Sequence, residues 1–214
     1  MLVKDVMKPN PFTIGEKASV LEAKDLMKKN NICKLPVMNK NGRMTGIITS
    51  NDLLKCTPSD ATTLDVYEIG YLLSKLTVDK IMIKNVQTVT PEETVEEAAR
   101  IMSDGGFGCL PVMQDDHLVG IITETDLFDM FIKMFNTREP GLRVIIDMSD
   151  EPGTLAVFAR KIGDKKGRIV SCVQTPSTTP DGRIVTVKVT GMDMATFREI
   201  AESSGTVKDI REVN

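Results

Sequence analysis

The chain has 214 residues, 41% of them hydrophobic, enough for one large domain or several small ones with real cores. A net charge of -3 and a pI near 5.4 give no reason to expect a nucleic-acid or anionic-membrane partner, and no apolar run approaches the roughly 18 residues that span a bilayer. Four cysteines without a Cys-x-x-Cys pair and a single histidine make no zinc set, and 4% aromatics with no tryptophan make poor base-stacking platforms. The start Met1-Leu2-Val3-Lys4-Asp5 lacks the basic-then-apolar pattern of a secretion signal. Reduced, partly buried cysteines in a cytoplasmic protein are the expectation.

Along the chain, the first 55 residues return as 78–135. Val3-Lys4-Asp5-Val6-Met7 matches Val78-Asp79-Lys80-Ile81-Met82 at an offset of 75, and Leu35-Pro36-Val37-Met38 matches Leu110-Pro111-Val112-Met113. After a one-residue slip in a polar turn, Gly46-Ile47-Ile48-Thr49 and Asp52 match Gly120-Ile121-Ile122-Thr123 and Asp126. Each copy predicts a short strand ending near Thr13 or Thr88, then a helix N-capped by Ser19 or Thr94. The helices carry the stripes Val20, Ala23, Leu26, Met27 and Val95, Ala98, Ile101, Met102. On them Met27 and Met102 are gap-fillers. Next come a strand through Leu-Pro-Val-Met and a polar turn, 39–42 or 114–117, with His117 solvated in the second turn. A third strand, Met44–Thr49 or Leu118–Thr123, runs into a helix. One β-α-β-β-α unit has too small a core to stand alone, so the two should pack together.

Residues 56–77 join the copies: a turn-rich stretch, Thr57–Thr63, then a helix from Leu64 to Leu76 with Leu72 and Leu73, read as a packing or dimerisation helix. The helix Asp126–Phe135 is apolar on nearly every side, which predicts burial on more than one side as an inter-domain or inter-subunit contact. Residues 136–141 read as a polar hinge. Residues 142–214 then change grammar: strand Leu142–Met148, a helix after Asp150-Glu151-Pro152-Gly153-Thr154-Leu155, strands Ile169–Gln174 and Arg183–Thr190, helix Met194–Ser203 and strand Val207–Glu212. That is a ferredoxin-like β-α-β-β-α-β order, which makes the fold class α+β.

The chemistry concentrates in Gly-Ile-Ile-Thr-x-x-Asp. Two apolar strand residues lead into a helix N-terminus, where free N–H groups and the helix dipole favour an anion. Thr49 or Thr123 places a hydroxyl there, and Asp52 or Asp126, one turn on, can accept two hydrogen bonds from a vicinal diol such as ribose. The competing reading is that both residues only cap the helix. Recurrence of both residue types at one spacing in both copies favours the ligand.

These motifs resemble the CBS domain, and the tandem resembles a Bateman module over 1–135. The resemblance implies an adenosyl ligand between the copies: AMP, ADP, ATP or S-adenosylmethionine. Thr49 and Asp52 would hold one ribose, Thr123 and Asp126 another. Adenine contacts would come from backbone near the first and central strands, around Thr13–Ile14 and Pro36, and around Thr88–Val89 and Pro111. Lys34 stands where the family often carries a basic phosphate contact. Cys109 stands there in the second copy, so the sites should differ and the first should be the better phosphate binder; the alternative for Lys34 is a solvated strand-end lysine.

The turn Asp150-Glu151-Pro152-Gly153-Thr154-Leu155 resembles that of the ACT domain. This implies an amino acid or similar effector held at Asp150, Glu151, Gly153, Thr154 and Leu155, or else a purely dimerising module. The full order resembles the AcuB-type acetoin-utilisation regulatory proteins. A non-catalytic, homodimeric sensor with no metal or catalytic cofactor follows from the resemblance. The alternative is an adaptor that dimerises and holds a partner enzyme. No nucleophile–base pair, glycine-rich phosphate loop or basic recognition helix points to an enzyme or a DNA-binding protein.

Overall fold

The computed structural model describes residues 1–56 and 65–213, so the turn-rich stretch and Leu64 lie outside the described residues. Two compact units divide the chain, Met1–Leu127 and Phe128–Asn214.

In the first unit the strands are β1 (Lys8–Pro9), β2 (Ile14–Gly15), β3 (Lys34–Met38) and β4 (Met44–Thr49) for the first copy, with helices α1 (Val20–Asn30) and α2 (Ser50–Lys55). Helix α3 (Val66–Lys75) follows, then α4 (Val95–Gly105), β5 (Cys109–Gln114), β6 (His117–Thr123) and α5 (Glu124–Met134). Ser19 caps α1, accepting from Glu22 N at 3.1 Å while Glu22 closes the reciprocal bond on Ser19 N; Thr94 caps α4. The stripes bury Val20, Ala23 and Met27, and Val95, Ala98 and Met102. Strands β3 and β4 pair antiparallel with Lys34 opposite Thr49, and β5 and β6 repeat that register with Cys109 opposite Thr123. Even the irregularity recurs, between Val37 and Met38 and between Val112 and Met113.

The leading segments cross over, which the linear repeat does not show. Val3 N donates to Glu93 O, and Val95 N to Met1 O, so the start of the first copy lies on the second. Val78 N donates to Ala18 O, and Val20 N to Leu76 O, so the start of the second lies on the first. Strand β1 pairs with β6, and Ile83 bridges Ile47. This explains two motifs at once. A Cβ on Gly46 would sit 2.7 Å from both Met82 Sδ and Ile83 O, and one on Gly120 would collide with Met7 Sδ. Each Gly-Ile-Ile-Thr glycine is the groove that the other copy's leading methionine fills.

Two ion pairs cross the same way. Lys17 bonds Asp79 at 2.8 Å, and at the equivalent positions Lys4 bonds Glu92 at 2.9 Å, with the signs exchanged. Uncrossed, Lys4 would face Lys17 and Asp79 would face Glu92. The charges oppose that alternative, as like charges do wherever wrong pairing must be rejected.

Helix α3 packs on the first copy through Leu73, while Tyr67, Tyr71 and Leu72 stay exposed. Among the residues of α5 only Asp126 is buried. Phe128, Phe131 and Met134 are more than half exposed, so within the single chain these side chains stay uncovered. Within the chain the apolar surplus stacks on itself, with the Phe131 and Phe135 rings 4.3 Å apart.

The second unit has β7 (Gly141–Ser149), α6 (Thr154–Asp164), β8 (Arg168–Pro176), β9 (Gly182–Thr190), α7 (Met194–Glu202) and β10 (Thr206–Val213). This is the expected β-α-β-β-α-β order, with an antiparallel sheet ordered β10-β7-β9-β8. Val144, Ile146, Val185 and Val187 meet Phe158, Ile162 and Phe197 of the helices. Lys188, on the opposite side of β9 from the valines, is nonetheless buried. Its ammonium donates to the carbonyls of Asn136, at 2.8 Å, and Glu139. The polar hinge is therefore pinned to a strand rather than free.

Candidate functional site

A cavity of about 590 Å³ opens beside the first Gly-Ile-Ile-Thr-x-x-Asp motif, with Thr49, Asp52 and Lys34 in its wall. Strand β4 delivers Thr49 to the cap of α2, and Asp52 Oδ2 accepts from Thr49 N at 3.0 Å and Thr49 Oγ1 at 2.7 Å. In the second copy Asp126 Oδ2 accepts from Thr123 N at 2.8 Å and Thr123 Oγ1 at 2.6 Å. The cap thus uses one carboxylate oxygen. Among the described residues, Oδ1 of Asp52 faces only Lys55, at 3.7 Å, a distance that still admits an incoming hydroxyl. Capping and ligand contact need not compete, because they use different oxygens.

The other expected nucleotide residues lie elsewhere. Ile14 and Val89 are buried, paired in parallel with Val37 and Val112, so their side chains belong to the cores. Pro36 and Pro111 are buried in the central strands opposite Ile47 and Ile121. Neither these nor Thr13 and Thr88 line the cavity. Its backbone wall is instead Ile83 and Asn85–Gln87, five residues upstream, because the crossing segment arrives over β4 before it reaches Val89. Sequence reading missed this stretch, since a repeat does not say which copy's glycine a methionine covers.

The far wall comes from the second copy: Gly106–Cys109 and Glu124. Lys34 reaches across, and its ammonium donates to Gly108 O at 2.8 Å. It is therefore a cross-copy contact and not a solvated strand end. Cys109 lies here too, and burial pushes its thiol up to about 11, with Lys34 pulling down and Glu124 adding a smaller push upward. Glu124 and Gly108 could have been flagged by asking where the copies differ: they stand at the positions of Ser50 and Cys33.

Thr123 and Asp126 do not line this cavity. Where the first copy receives Ile83, the second receives Lys8, whose ammonium lies 3.3 Å from Asp126 Oδ1. The oxygen that in Asp52 faces Lys55 of its own helix is here faced, more closely, by a lysine from the crossing segment.

In the second unit, Gly153 caps α6 at φ 93°, a left-handed conformation that favours glycine. A side chain there would meet nothing within 4 Å, so the approach to this turn is open. Thr154 Oγ1 donates to Glu151 O at 2.9 Å. Asp150 is held by Arg183, at 2.6 Å and 3.0 Å, which keeps its carboxyl below the usual range. Leu155 packs on the core.

Comparison with known proteins bears on the first unit. The CBS domain model matches residues 3–58 and 78–133. L-aspartate semialdehyde sulfurtransferase of Methanocaldococcus jannaschii is 33% identical over 131 residues, 61% of this chain but only 23% of that protein. The AcuB protein of Vibrio cholerae superposes with a TM-score of 0.53 at 29% identity, over 64% of this chain and 95% of that one. The CBS domain pair of protein MJ0100, solved with 5′-methylthioadenosine and S-adenosyl-L-methionine, gives 0.51 at 32% identity, covering 61% and 99%. CBSX2, solved with AMP, gives 0.50 at 27% identity, covering 61% and 96%. With both repeats matched across more than half of its length, the chain belongs to the CBS-domain family and carries a tandem CBS pair.

Proposed function

We propose that the protein is a regulatory sensor that binds an adenosyl compound in the cavity beside Thr49 and Asp52. The observation that carries this reading is the divided carboxylate: Asp52 Oδ2 closes the helix cap, while Oδ1, beside the exposed Lys55 at 3.7 Å, can still accept from a ribose diol. Similar CBS pairs solved with 5′-methylthioadenosine, S-adenosyl-L-methionine and AMP support it. Ile47 and Ile83, whose backbones bond each other, offer apolar surface for the adenine, and Asn85 to Gln87 supply backbone polar groups. Isothermal titration with AMP, ATP and S-adenosylmethionine tests the proposal. We expect heat with at least one of them, lost in Asp52→Ala; silence with all three would sink it.

The second unit is proposed as an ACT-type module, on its element order and the open turn at Gly153. An amino acid at this turn would meet the N-terminal end of α6 with its carboxylate. The exposed face of α5 suits a homodimer or a partner enzyme, and the likeness to AcuB favours a regulatory role in acetoin utilisation. A non-catalytic adaptor is the second reading, favoured by the fact that Thr49 and Asp52 do form a complete cap. It predicts that Asp52→Ala lowers stability and changes no ligand affinity.

A further inference from the structure

Resting on the adenosyl reading, we infer that this cavity selects compounds with a zwitterionic amino-acid tail over nucleoside polyphosphates, with Glu124 and Lys34 as the specificity-determining pair. Four charged side chains line the cavity: Lys34, Asp52, Lys55 and Glu124. Asp52 and Lys55 lie 3.7 Å apart at the ribose end, which leaves Lys34 and Glu124 for whatever extends from the ribose. The two heads converge over one glycine. A side chain on Gly108 would begin 3.1 Å from Glu124 Oε2 and 3.4 Å from Lys34 Nζ.

Among the described residues they form no ion pair with each other, and the Glu124 carboxylate accepts no hydrogen bond, so its charge is uncommitted. Lys34 gives one N–H to Gly108 O and keeps two. A tail carboxylate meets those two donors, and a tail ammonium or sulfonium meets Glu124. A polyphosphate instead brings several negative charges against the Glu124 carboxylate, and one Lys34 N–H is already given to Gly108 O. Repulsion of the wrong ligand is how such selectivity is usually built. The device is one-sided, because Ser50 stands at the position of Glu124 in the other copy.

The test is titration of the full chain, in an Asp126→Asn background that isolates this cavity, with S-adenosylmethionine, 5′-methylthioadenosine, AMP and ATP. The expected result is S-adenosylmethionine at least tenfold tighter than ATP. Glu124→Gln should shrink that ratio about tenfold, and Glu124→Lys should reverse it, with 5′-methylthioadenosine unmoved by either. Among the described residues the Glu124 side chain makes no hydrogen bond or ion pair, and its backbone bond to Gly108 O survives substitution, so both variants should fold, which circular dichroism checks. ATP binding as tightly as S-adenosylmethionine, or a ratio indifferent to Glu124→Gln while 5′-methylthioadenosine still binds, overturns the selectivity alone. No heat with any of the four overturns the adenosyl reading and the selectivity with it.

Discussion

Asp52 and Asp126 occupy equivalent places and cap their helices with the same bonds, yet the cations beside their second oxygens differ in origin. Lys55, at 3.7 Å from Asp52, sits on the same helix and is largely exposed; Lys8, at 3.3 Å from Asp126, arrives on the crossing segment from the other copy. Duplication preserved the backbone scheme because every strand register and cap depends on it. The side chains that look into ligand space were free to part: Lys34 and Cys109, Ser50 and Glu124, Ile83 and Lys8. The lesson is that this CBS pair is symmetric in its backbone and asymmetric in the side chains around its two Thr-x-x-Asp motifs.

Asp52→Ala and Asp126→Ala should break the comparison most visibly. Losing the Asp52 carboxylate removes charge-assisted bonds of about 1.5–3 kcal/mol, so affinity for an adenosyl compound should fall by one to two orders of magnitude. Asp126→Ala should cost helix-cap stability, about 1 kcal/mol, with a much smaller effect on affinity. Equal affinity losses from the two would show that the sites are equivalent after all.

Gly46→Ala and Gly120→Ala test the crossing. A Cβ on Gly46 meets the backbone oxygen of Ile83, which cannot swing away, and should cost about 1–3 kcal/mol in a denaturant titration. At Gly120 the nearest atom is the flexible Met7 Sδ, so the loss should be smaller. The reverse order would refute the crossing as drawn.

Cys33 and Cys109 both line the cavity, but Cys33 is exposed and Cys109 half-buried. At pH 8, alkylation followed by mass spectrometry should modify Cys33 first and Cys109 slowly, and a bound adenosyl compound should protect both. The folded Cys109 thiol ionises near 11, against an ordinary 9.0, so the unfolded chain loses this proton first. Its contribution to stability is intact below pH 9 and declines as pH rises from there toward 11.

Lys8→Ala should cost no more than about 1 kcal/mol, since the ammonium is mostly exposed, yet it uncovers Asp126 Oδ1. A second binding event in calorimetry is the expected gain; a single unchanged event would show that Lys8 does not guard the site. The smallest effect belongs to the exchanged ion pairs. Lys4→Asp with Asp79→Lys should lower the thermal midpoint slightly, and adding Glu92→Lys with Lys17→Glu should restore it. Asp79, held at about 2 by Lys17 and Thr77, contributes this stability above its ordinary 3.8 and loses it as pH falls toward 2.

The repeat, the caps at Ser19, Thr94 and Thr49, the core stripes and the β-α-β-β-α-β order of 142–214 were all legible in the sequence. Local spacing and capping chemistry determine each of them within a few residues, and those forces do not depend on what lies across the fold. Strand β4 falls at Met44–Thr49, as its turn and helix cap dictate. Only the tertiary structure decided which copy's methionine fills which glycine. It also decided that Ile83–Gln87 rather than Thr88–Val89 walls the cavity, that Lys34 spans to Gly108, and that Lys188 is buried beneath the hinge. Each is a contact between residues far apart in the chain, as Met82 is from Gly46 and Met7 from Gly120. For those within the repeats, a duplicated sequence offers two similarly patterned partners, and only packing and charge choose between them.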